Sequence, residues 1–268
     1  MVSAAGRQAY MASMDALTDL DLERYARHIV LREIGGDGQL RLKNATVAIM
    51  GAGGIGSPAI QYLAGAGVGT IRIVDDDTVD TSNLQRQTIY NGADLRTTKA
   101  DAAAAFAMRL NPGVAASACR ARIDAENVAA LIEGADVVID GTDNFATRLL
   151  VAKAAHAARI PLVSAAVGQF EGQLAVYRGW EAGKPCYRCL VSDDPDRVDR
   201  NCSEQGVLGP VTGVLGTLAA LEAIRAIVPF GEDVAGRLLL VDLLSWRFRA
   251  IAVPPDPACP VCSDHALR

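Results

Sequence analysis

The chain has 268 residues, of which 50% are hydrophobic and 21% are charged. This composition allows a large buried core and excludes disorder for most of the chain. The formal net charge of -5 offers no basic surface for a phosphate backbone, so nucleic acid is not an expected partner.

The N-terminal residues 1–17 are predicted to be a disordered leader, because small residues and methionines there do not form the continuous apolar core of a signal peptide. The six cysteines are too few for a disulfide scaffold in a chain of this length. Together these observations favour a cytoplasmic location.

The first predicted helix covers residues 18–33. Thr18 and Asp21 can form a capping box at its start, and glycines at 35, 36 and 38 are expected to end it. A short apolar strand, Thr46–Met50, then leads into the glycine-rich segment 51–56. A helix over 57–64, a strand over 70–74 and Asp75 complete a β-α-β unit of the dinucleotide-binding type.

The remaining elements extend this unit into a larger sheet. Helices are predicted at 99–110, 145–159 and 214–228, and strands at 136–140, 162–165, 173–177 and 238–241. We therefore expect an α/β fold with a Rossmann-like, mainly parallel sheet, flanking helices and a mixed or antiparallel C-terminal extension. No membrane span is expected: the uncharged stretch 44–71 is interrupted by seven glycines and Pro58.

Two C-x-x-C pairs supply the ligand number and type that a tetrahedral structural zinc site requires. They consist of Cys186 with Cys189 and Cys259 with Cys262. A redox dithiol is the alternative for either pair alone. We expect one four-cysteine zinc site in the C-terminal extension, which leaves Cys119 as a structural thiol and Cys202 as a candidate reactive thiol.

The glycine-rich segment predicts nucleotide binding. Gly51, Gly53 and Gly56 would allow a tight turn and close approach to a phosphate at a helix N-terminus. A glycine-rich turn without a ligand is the alternative. Since a strand, a helix and Asp75 all occur where the mechanism needs them, a nucleotide is favoured.

Charged residues downstream favour a triphosphate over a dinucleotide. Arg86 and Lys99 could stabilise charge on phosphoryl oxygens, and Asp143, at a strand end, could bind magnesium. The alternatives are that Arg86 and Lys99 are solvated surface charges and that Asp143 is the N-cap of the next helix.

Several motifs, in this order along the chain, resemble the MoeB/ThiF/HesA family of adenylyltransferases, over roughly residues 20–262. They are Arg24-Tyr25-Ala26-Arg27, Gly51 to Gly56, Asp75, Ser82-Asn83-Leu84-Gln85-Arg86-Gln87, Thr142-Asp143-Asn144 and the two C-x-x-C pairs. The chain departs from the family pattern at Gly141, where a cysteine is common, and at Arg96-Thr97-Thr98 before Lys99.

The resemblance implies a reaction and a set of site residues. ATP and Mg²⁺ would be used to adenylate the C-terminal glycine of a small ubiquitin-fold sulfur-carrier protein that ends in Gly-Gly. Asp75 would bind the ribose and Gly54 would lie against the nucleotide. The residues expected to hold the phosphates and magnesium are Ser82, Asn83, Leu84, Gln85, Arg86, Lys99, Asp143 and Asn144.

The resemblance also implies an assembly. Arg27 would be an arginine finger that reaches the ATP of the partner subunit in a homodimer. Residues 18–268 would form one domain, with a nucleotide-binding part at 18–168 and a carrier-binding and zinc part at 169–268. Cys202 would take part in sulfur transfer, or it would be an inert thiol, because some members of the family adenylate without needing a cysteine at this place. Because no rhodanese-type domain follows Cys262, a separate sulfur donor is expected, in molybdopterin or thiamine-thiazole synthesis.

Two other functions remain open from the sequence. An NAD-dependent oxidoreductase would use the glycine segment and Asp75, but it leaves Arg86, Lys99 and Asp143 without a role. A non-catalytic, zinc-bearing interaction protein, or a homologue acting on a tRNA base or a peptide end, would keep the fold and change the substrate.

Overall fold

The computed structural model describes residues 17–191 and 206–263. The described strands are β1 Thr46–Met50, β2 Thr70–Val74, β3 Ala115–Cys119, β4 Val137–Asp140, β5 Leu162–Gly168, β6 Glu171–Tyr177, β7 Arg237–Asp242 and β8 Arg247–Ala252. The described α-helices are α1 Asp19–Arg24, α2 Ala26–Ile29, α3 Gly35–Asn44, α4 Gly56–Ala66, α5 Lys99–Leu110, α6 Val128–Ile132, α7 Phe145–Ala157, α8 Tyr187–Leu190 and α9 Gly209–Ile227.

These strands form one sheet in the order β3-β2-β1-β4-β5-β6-β7-β8. From β3 to β5 all neighbours pair in parallel, and from β5 to β8 they pair antiparallel. The expected fold class, a mainly parallel sheet with an antiparallel C-terminal extension, is confirmed. The parallel half brings the carboxyl ends of β1, β2 and β4 to one edge, where ligands of such sheets bind.

Both faces of the parallel half are covered. On one face, Ile49 and Ile73 of the sheet pack with Ile60 of α4 and Leu215 of α9. On the other face, buried side chains from the strands pack against α6 and α7, as Val138 and Val151 illustrate. This double burial explains why β1 and β4 are apolar along nearly their whole length.

The N-terminal helix prediction was wrong in three respects, one of which is that the helical residues end at Ile29 and not at residue 33. The helix over 18–33 is broken at Tyr25, whose backbone leaves the helical region while its hydroxyl accepts a hydrogen bond from Asn111 Nδ2 at 2.7 Å. Helix α3 begins at Gly35, where an end was expected. A Cβ at Gly38 would lie 2.9 Å from Val228, so this glycine allows α3 to approach the end of α9.

One described helix, α9, is long and apolar enough to cross a membrane by length and composition alone. In this fold α9 packs against α4, β5 and β6. Its buried residues include Val211, Leu215 and Ala219. We therefore interpret α9 as a core helix.

Candidate active site

A cavity of about 740 Å³ lies at the carboxyl ends of the parallel strands. Nine of the residues predicted to bind the nucleotide or magnesium line it: Gly51, Gly53, Gly54, Asp75, Asn83, Arg86, Lys99, Asp143 and Asn144. These residues come from the ends of three strands, two loops and the start of one helix. The topology therefore gathers residues that are up to 93 positions apart along the chain.

The glycine loop connects β1 to α4 and forms the floor of the cavity. Gly51 has a φ of +92°, a conformation that residues with a Cβ rarely adopt. At Gly56, a Cβ would overlap the carbonyl oxygen of Gly51, so the loop closes tightly on itself. The N-terminus of α4 lies at this loop, and the positive end of its helix dipole favours an anion there.

Asp75 follows β2 and is bound to this loop. One of its carboxylate oxygens accepts a hydrogen bond from the amide of Ala52 at 2.7 Å, and the other accepts one from the amide of Asp77 at 2.9 Å. Burial raises the pKa of Asp75, against the lowering effect of Lys99 and of the two amides. The carboxylate thus faces the cavity as an acceptor for donors such as ribose hydroxyls.

Lys99 enters the cavity from the first turn of α5. Its Nζ lies 2.7 Å from Asp77 Oδ2, and its side chain is 7% exposed, against 68% for Asp77. Asp75, Asp76 and Asp77 also bring one carboxylate oxygen each within 4.8 Å of one another. Lys99 is therefore a buried cation with an acidic partner, which contradicts its alternative interpretation as a solvated surface charge.

The loop after β4 carries Asp143. Asn144 caps α7, because its Oδ1 accepts a hydrogen bond from the amide of Thr147 at 2.8 Å. The alternative interpretation of Asp143 as the N-cap was therefore wrong. Asp143 lines the cavity, where its carboxylate can bind a cation. The side-chain oxygen of Asn144 already accepts the hydrogen bond from Thr147.

Arg148, in the first turn of α7, holds the loop that follows β4. Its NH2 donates to the carbonyl oxygens of Thr142 and of Ala165, the latter at 2.8 Å, and its NH1 lies 3.5 Å from Asp140 Oδ2. Asp140 in turn accepts hydrogen bonds from the amide and hydroxyl of Thr142. A buried ion pair therefore fixes the chain immediately before Asp143.

Other predicted site residues do not line the cavity. Gly56 is buried in the first turn of α4, and Arg27 is exposed on α2. Three further predicted residues, in the segment that contains Arg86, also do not line the cavity: Ser82, Leu84 and Gln85. Ser82 acts through its backbone, since its carbonyl accepts a hydrogen bond from Arg86 NH1 at 3.0 Å. The predicted leader, apart from Leu17, and Cys202 lie outside the described residues.

Several lining residues were not predicted as site residues: Asp76, Asp77, Gln87, Arg122, Arg148, Gln173 and Thr212. Some signals were present in the sequence. Asp76 and Asp77 directly follow Asp75 at a strand end, and a charged residue within the apolar helix α7 indicates a buried partner for Arg148. Gln173 and Thr212 carry no such signal, because only the tertiary fold brings β6 and α9 to the cavity.

The four cysteines of the C-x-x-C pairs meet in space as a thiol cluster. Their sulfur atoms all lie within 4.8 Å of one another. The distances are 4.0 Å for Cys186 to Cys189, 3.6 Å for Cys186 to Cys259 and 3.4 Å for Cys189 to Cys262. Zinc bonds to sulfur of about 2.3 Å in a tetrahedron imply sulfur separations of about 3.8 Å, so the cluster fits zinc.

The electrostatics of the thiol cluster also favour a cation. Burial raises the pKa of Cys186, and it raises that of Cys262 to about 12. Burial acts in the same direction on Cys259, but hydrogen bonds from the amides of Val261 and Cys262 outweigh it and lower the pKa. Without a cation Cys186 and Cys262 would stay protonated, whereas a bound divalent metal would stabilise the thiolates together.

The thiol cluster and the cavity are joined by Tyr187. This residue lies between Cys186 and Cys189, and its side chain lines the cavity. It packs edge to face against Tyr177 of β6, with ring centroids 5.5 Å apart. The thiol cluster therefore holds one wall of the cavity in place.

The sequence is similar to those of several named proteins. The SAMP-activating enzyme E1 of Haloferax volcanii is 43% identical, covering 95% of this chain and 93% of its own. The molybdopterin-synthase adenylyltransferase of Escherichia coli is 41% identical, covering 94% of this chain and all of its own. The adenylyltransferase and sulfurtransferase MOCS3 of Anopheles gambiae is 45% identical over 92% of this chain, which spans 56% of that longer relative.

Solved structures show the same fold. The crystal structure of E. coli MccB with ATP superposes with a TM-score of 0.79, at 23% identity, over 92% of this chain and 75% of that one. The family model described as "ThiF family" matches residues 25–261, a range that includes the glycine loop, Asp75, Lys99, Asp143 and the thiol cluster apart from Cys262. The chain therefore belongs to the ThiF family.

Proposed function

We propose that this protein adenylates the C-terminal glycine of a small ubiquitin-fold sulfur-carrier protein. The observation that carries the proposal is the meeting of the glycine loop with Asp75, Arg86, Lys99 and Asp143 in one cavity. The names of the relatives support it, since they include adenylyltransferases that act on sulfur carriers.

In the proposed reaction, the terminal carboxylate of the carrier attacks the α-phosphorus of ATP. The bond from that phosphorus to the oxygen bridging to the β-phosphate breaks, and pyrophosphate leaves with the bond electrons. The acyl-adenylate that remains is the activated form on which a thiocarboxylate would be built. No general base is needed because the carboxylate is already ionised at neutral pH, so catalysis rests on positioning and charge stabilisation.

Five side chains of the cavity have roles in this proposal. Asp75 accepts hydrogen bonds from the ribose, while Asn83, Arg86 and Lys99 bind the phosphates and stabilise the charge that develops on pyrophosphate. Asp143 would hold Mg²⁺, which supplies positive charge to the phosphate oxygens.

The carrier would approach from the antiparallel part of the sheet. A second cavity, of about 520 Å³, lies on β5 to β8, and both cavities are lined by Ala166, Val167 and Gln173. Arg247 and Arg249 line this second cavity, and Trp246 beside it is 81% exposed. This continuity supports residues 169–268 as the carrier-binding part, with an extended C-terminal segment passing from one cavity to the other.

Arg27 would complete the active site of a second subunit. It is exposed and does not line the cavity of its own chain. In the proposed homodimer, this arginine would contact the ATP bound by the partner subunit. Sulfur transfer through Cys202, a separate sulfur donor and a place in molybdopterin or thiamine-thiazole synthesis complete the proposal.

Carrier-dependent exchange of labelled pyrophosphate into ATP tests the function directly. Zinc-loaded protein is mixed with each Gly-Gly-ended carrier in turn, and carriers lacking the last glycine serve as controls. Exchange with one carrier and none with its truncated form is the expected result, and the active carrier identifies the pathway. An absence of exchange with every carrier would refute the proposal.

Thermal unfolding separates this function from an oxidoreductase. Ligands that bind the folded state raise the unfolding temperature. Mg-ATP should do so and NAD should not. Stabilisation by NAD alone would instead favour the dehydrogenase, and an effect of neither would favour a non-catalytic interaction protein.

A further inference from the structure

Gln87 is buried in the wall of the cavity, with 3% of its surface exposed, and its Oε1 has no hydrogen-bond partner among the residues that the structure describes. A buried acceptor without a partner is unfavourable, and such groups are rare in folded proteins. Gln87 is among the residues that line the cavity, so a small movement of its side chain on ligand binding would bring Oε1 to a partner there.

The backbone of Gln87 is fixed. Its amide donates to the carbonyl of Asn83 at 3.0 Å, and its carbonyl accepts from the amide of Tyr90 at 3.1 Å. The side chain lies against the glycine loop, because a Cβ on Gly53 would come within 3.8 Å of Gln87 Nε2. The carboxamide is therefore held where the phosphates of a nucleotide are expected.

The chemistry of an amide oxygen limits what can bind it. Phosphate oxygens are acceptors and cannot satisfy Oε1. The ribose hydroxyls are donors, but Asp75 supplies acceptors for them after β2. The adenine amino group is a donor as well, but the ribose separates it from the phosphates. The donor that the proposed reaction brings next to the glycine loop is therefore a backbone N–H of the protein substrate. The N–H of the terminal residue is three bonds from the attacking carboxylate oxygen, so it reaches the glycine loop together with that oxygen.

We propose that Gln87 Oε1 accepts a hydrogen bond from the backbone N–H of the C-terminal residue of the protein substrate. Gln87 is then a substrate-binding residue that orients the terminal carboxylate toward the α-phosphate. This inference rests on the proposed adenylation of a carrier C-terminus. The proposed hydrogen bond joins Gln87 Oε1 of the enzyme to a single backbone N–H of the substrate.

The test removes each partner of this hydrogen bond separately. Gln87→Met removes the acceptor and keeps the length of the side chain. On the substrate side, a semisynthetic carrier whose terminal glycine is replaced by glycolic acid has an ester in place of the last amide, so it keeps the carboxylate and lacks the N–H. Gln61→Met, on the exposed face of α4, is the matched control.

We expect Gln87→Met to lower kcat/KM for the native carrier roughly five- to thirtyfold, the usual loss for one hydrogen bond. The Kd for Mg-ATP, measured by calorimetry, should change by less than about twofold, because the nucleotide does not use Oε1. The ester carrier should lose activity by a similar factor with wild-type enzyme and hardly at all with Gln87→Met, since the two changes remove the same interaction.

Three results would overturn the inference: an unchanged kcat/KM in Gln87→Met, a rise in the Kd for Mg-ATP that accounts for the whole loss, or fully additive effects of the two changes. If Gln87→Met does not fold, full activity of wild-type enzyme with the ester carrier overturns it alone. Wild-type exchange with the native carrier is measured first, so a failure of the proposed function itself appears before any variant is compared.

Discussion

Lys99 Nζ lies 2.7 Å from Asp77 Oδ2 at the mouth of the nucleotide cavity. The side chain of Lys99 is nearly buried, while that of Asp77 is exposed. Asp77 therefore neutralises the lysine in the absence of a ligand, and a bound anion could take its place. A triphosphate carries more negative charge than one carboxylate, and its arrival would draw Lys99 from Asp77 to the phosphates. Two variants separate the ion pair with Asp77 from the binding of phosphates by Lys99.

We expect Lys99→Met to lower pyrophosphate exchange by at least about a hundredfold, because a charge that stabilises the transition state is lost. Asp77→Asn should lower it less than about tenfold, since an exposed partner contributes little. Exchange rates at saturating carrier and Mg-ATP check both. Equal losses in the two variants would show that the ion pair, and not the free lysine, is what matters.

Arg148 is expected to govern both stability and the position of Asp143. Arg148→Met leaves the buried carboxylate of Asp140 unpaired, which typically costs about 3–5 kcal/mol. Urea unfolding of the variant checks this value. The double variant with Asp140→Asn should recover part of the stability, because no uncompensated charge remains. Destabilisation that is purely additive would contradict the pairing.

The thiol cluster should bind about one zinc ion per chain. Cys189→Ser or Cys262→Ser should lose that zinc and lower the unfolding temperature, whereas Cys119→Ser, outside the cluster, should keep both. Protons compete with the metal for thiolates, so zinc retention should fall as the pH falls. Metal analysis after dialysis over a pH series is the measurement. Zinc retained by both cluster variants would rule out coordination by all four cysteines.

Arg27 can be tested by mixing two inactive proteins. Arg27→Ala should abolish adenylation by removing the finger, and Asp143→Ala by removing the metal ligand. If the finger acts across a dimer, subunit exchange between these variants restores one intact site per mixed dimer and about a quarter of wild-type activity. An active Arg27→Ala variant, or no recovery on mixing, would argue against action in trans.

Cys202 is expected to matter after adenylation. Cys202→Ser should leave pyrophosphate exchange unchanged, because the carboxylate and ATP need no thiol. In a reconstituted assay with a sulfur donor, the same variant should fail to load sulfur on the carrier, since a thiolate is the nucleophile. Mass spectrometry of the carrier distinguishes the carboxylate from the thiocarboxylate. Normal loading would remove Cys202 from the pathway.

The sequence was informative where local signals and topology coincide. Thr46–Met50 and Lys99–Leu110 have the predicted bounds, because an apolar run ending in glycine and an alanine-rich segment ending in Asn-Pro-Gly are strong local signals. The cavity residues at strand ends followed from the rule for parallel sheets.

The errors arose where distant contacts decide the structure. Strands β3 and β8 were not predicted: β3 is a short run of alanine, serine and cysteine, and the side chains of β8 are exposed along its whole length. The break at Tyr25 depends on Asn111, 86 positions away. Likewise, Gln87 belonged to a recognised motif, but its missing partner is visible only once the side chain is seen to be buried.

A zinc ion bound by the thiol cluster would affect more than folding, because Tyr187 lies between two of its ligands. A metal that only fastened the chain could be exchanged for any other crosslink, such as a disulfide, with little consequence for catalysis. Here the residue between two of the thiols also lines the cavity, so the radius and geometry of a bound ion would help set the shape that the substrate meets. Replacing zinc with a larger ion of the same charge should therefore alter substrate affinity in a protein that is still fully folded.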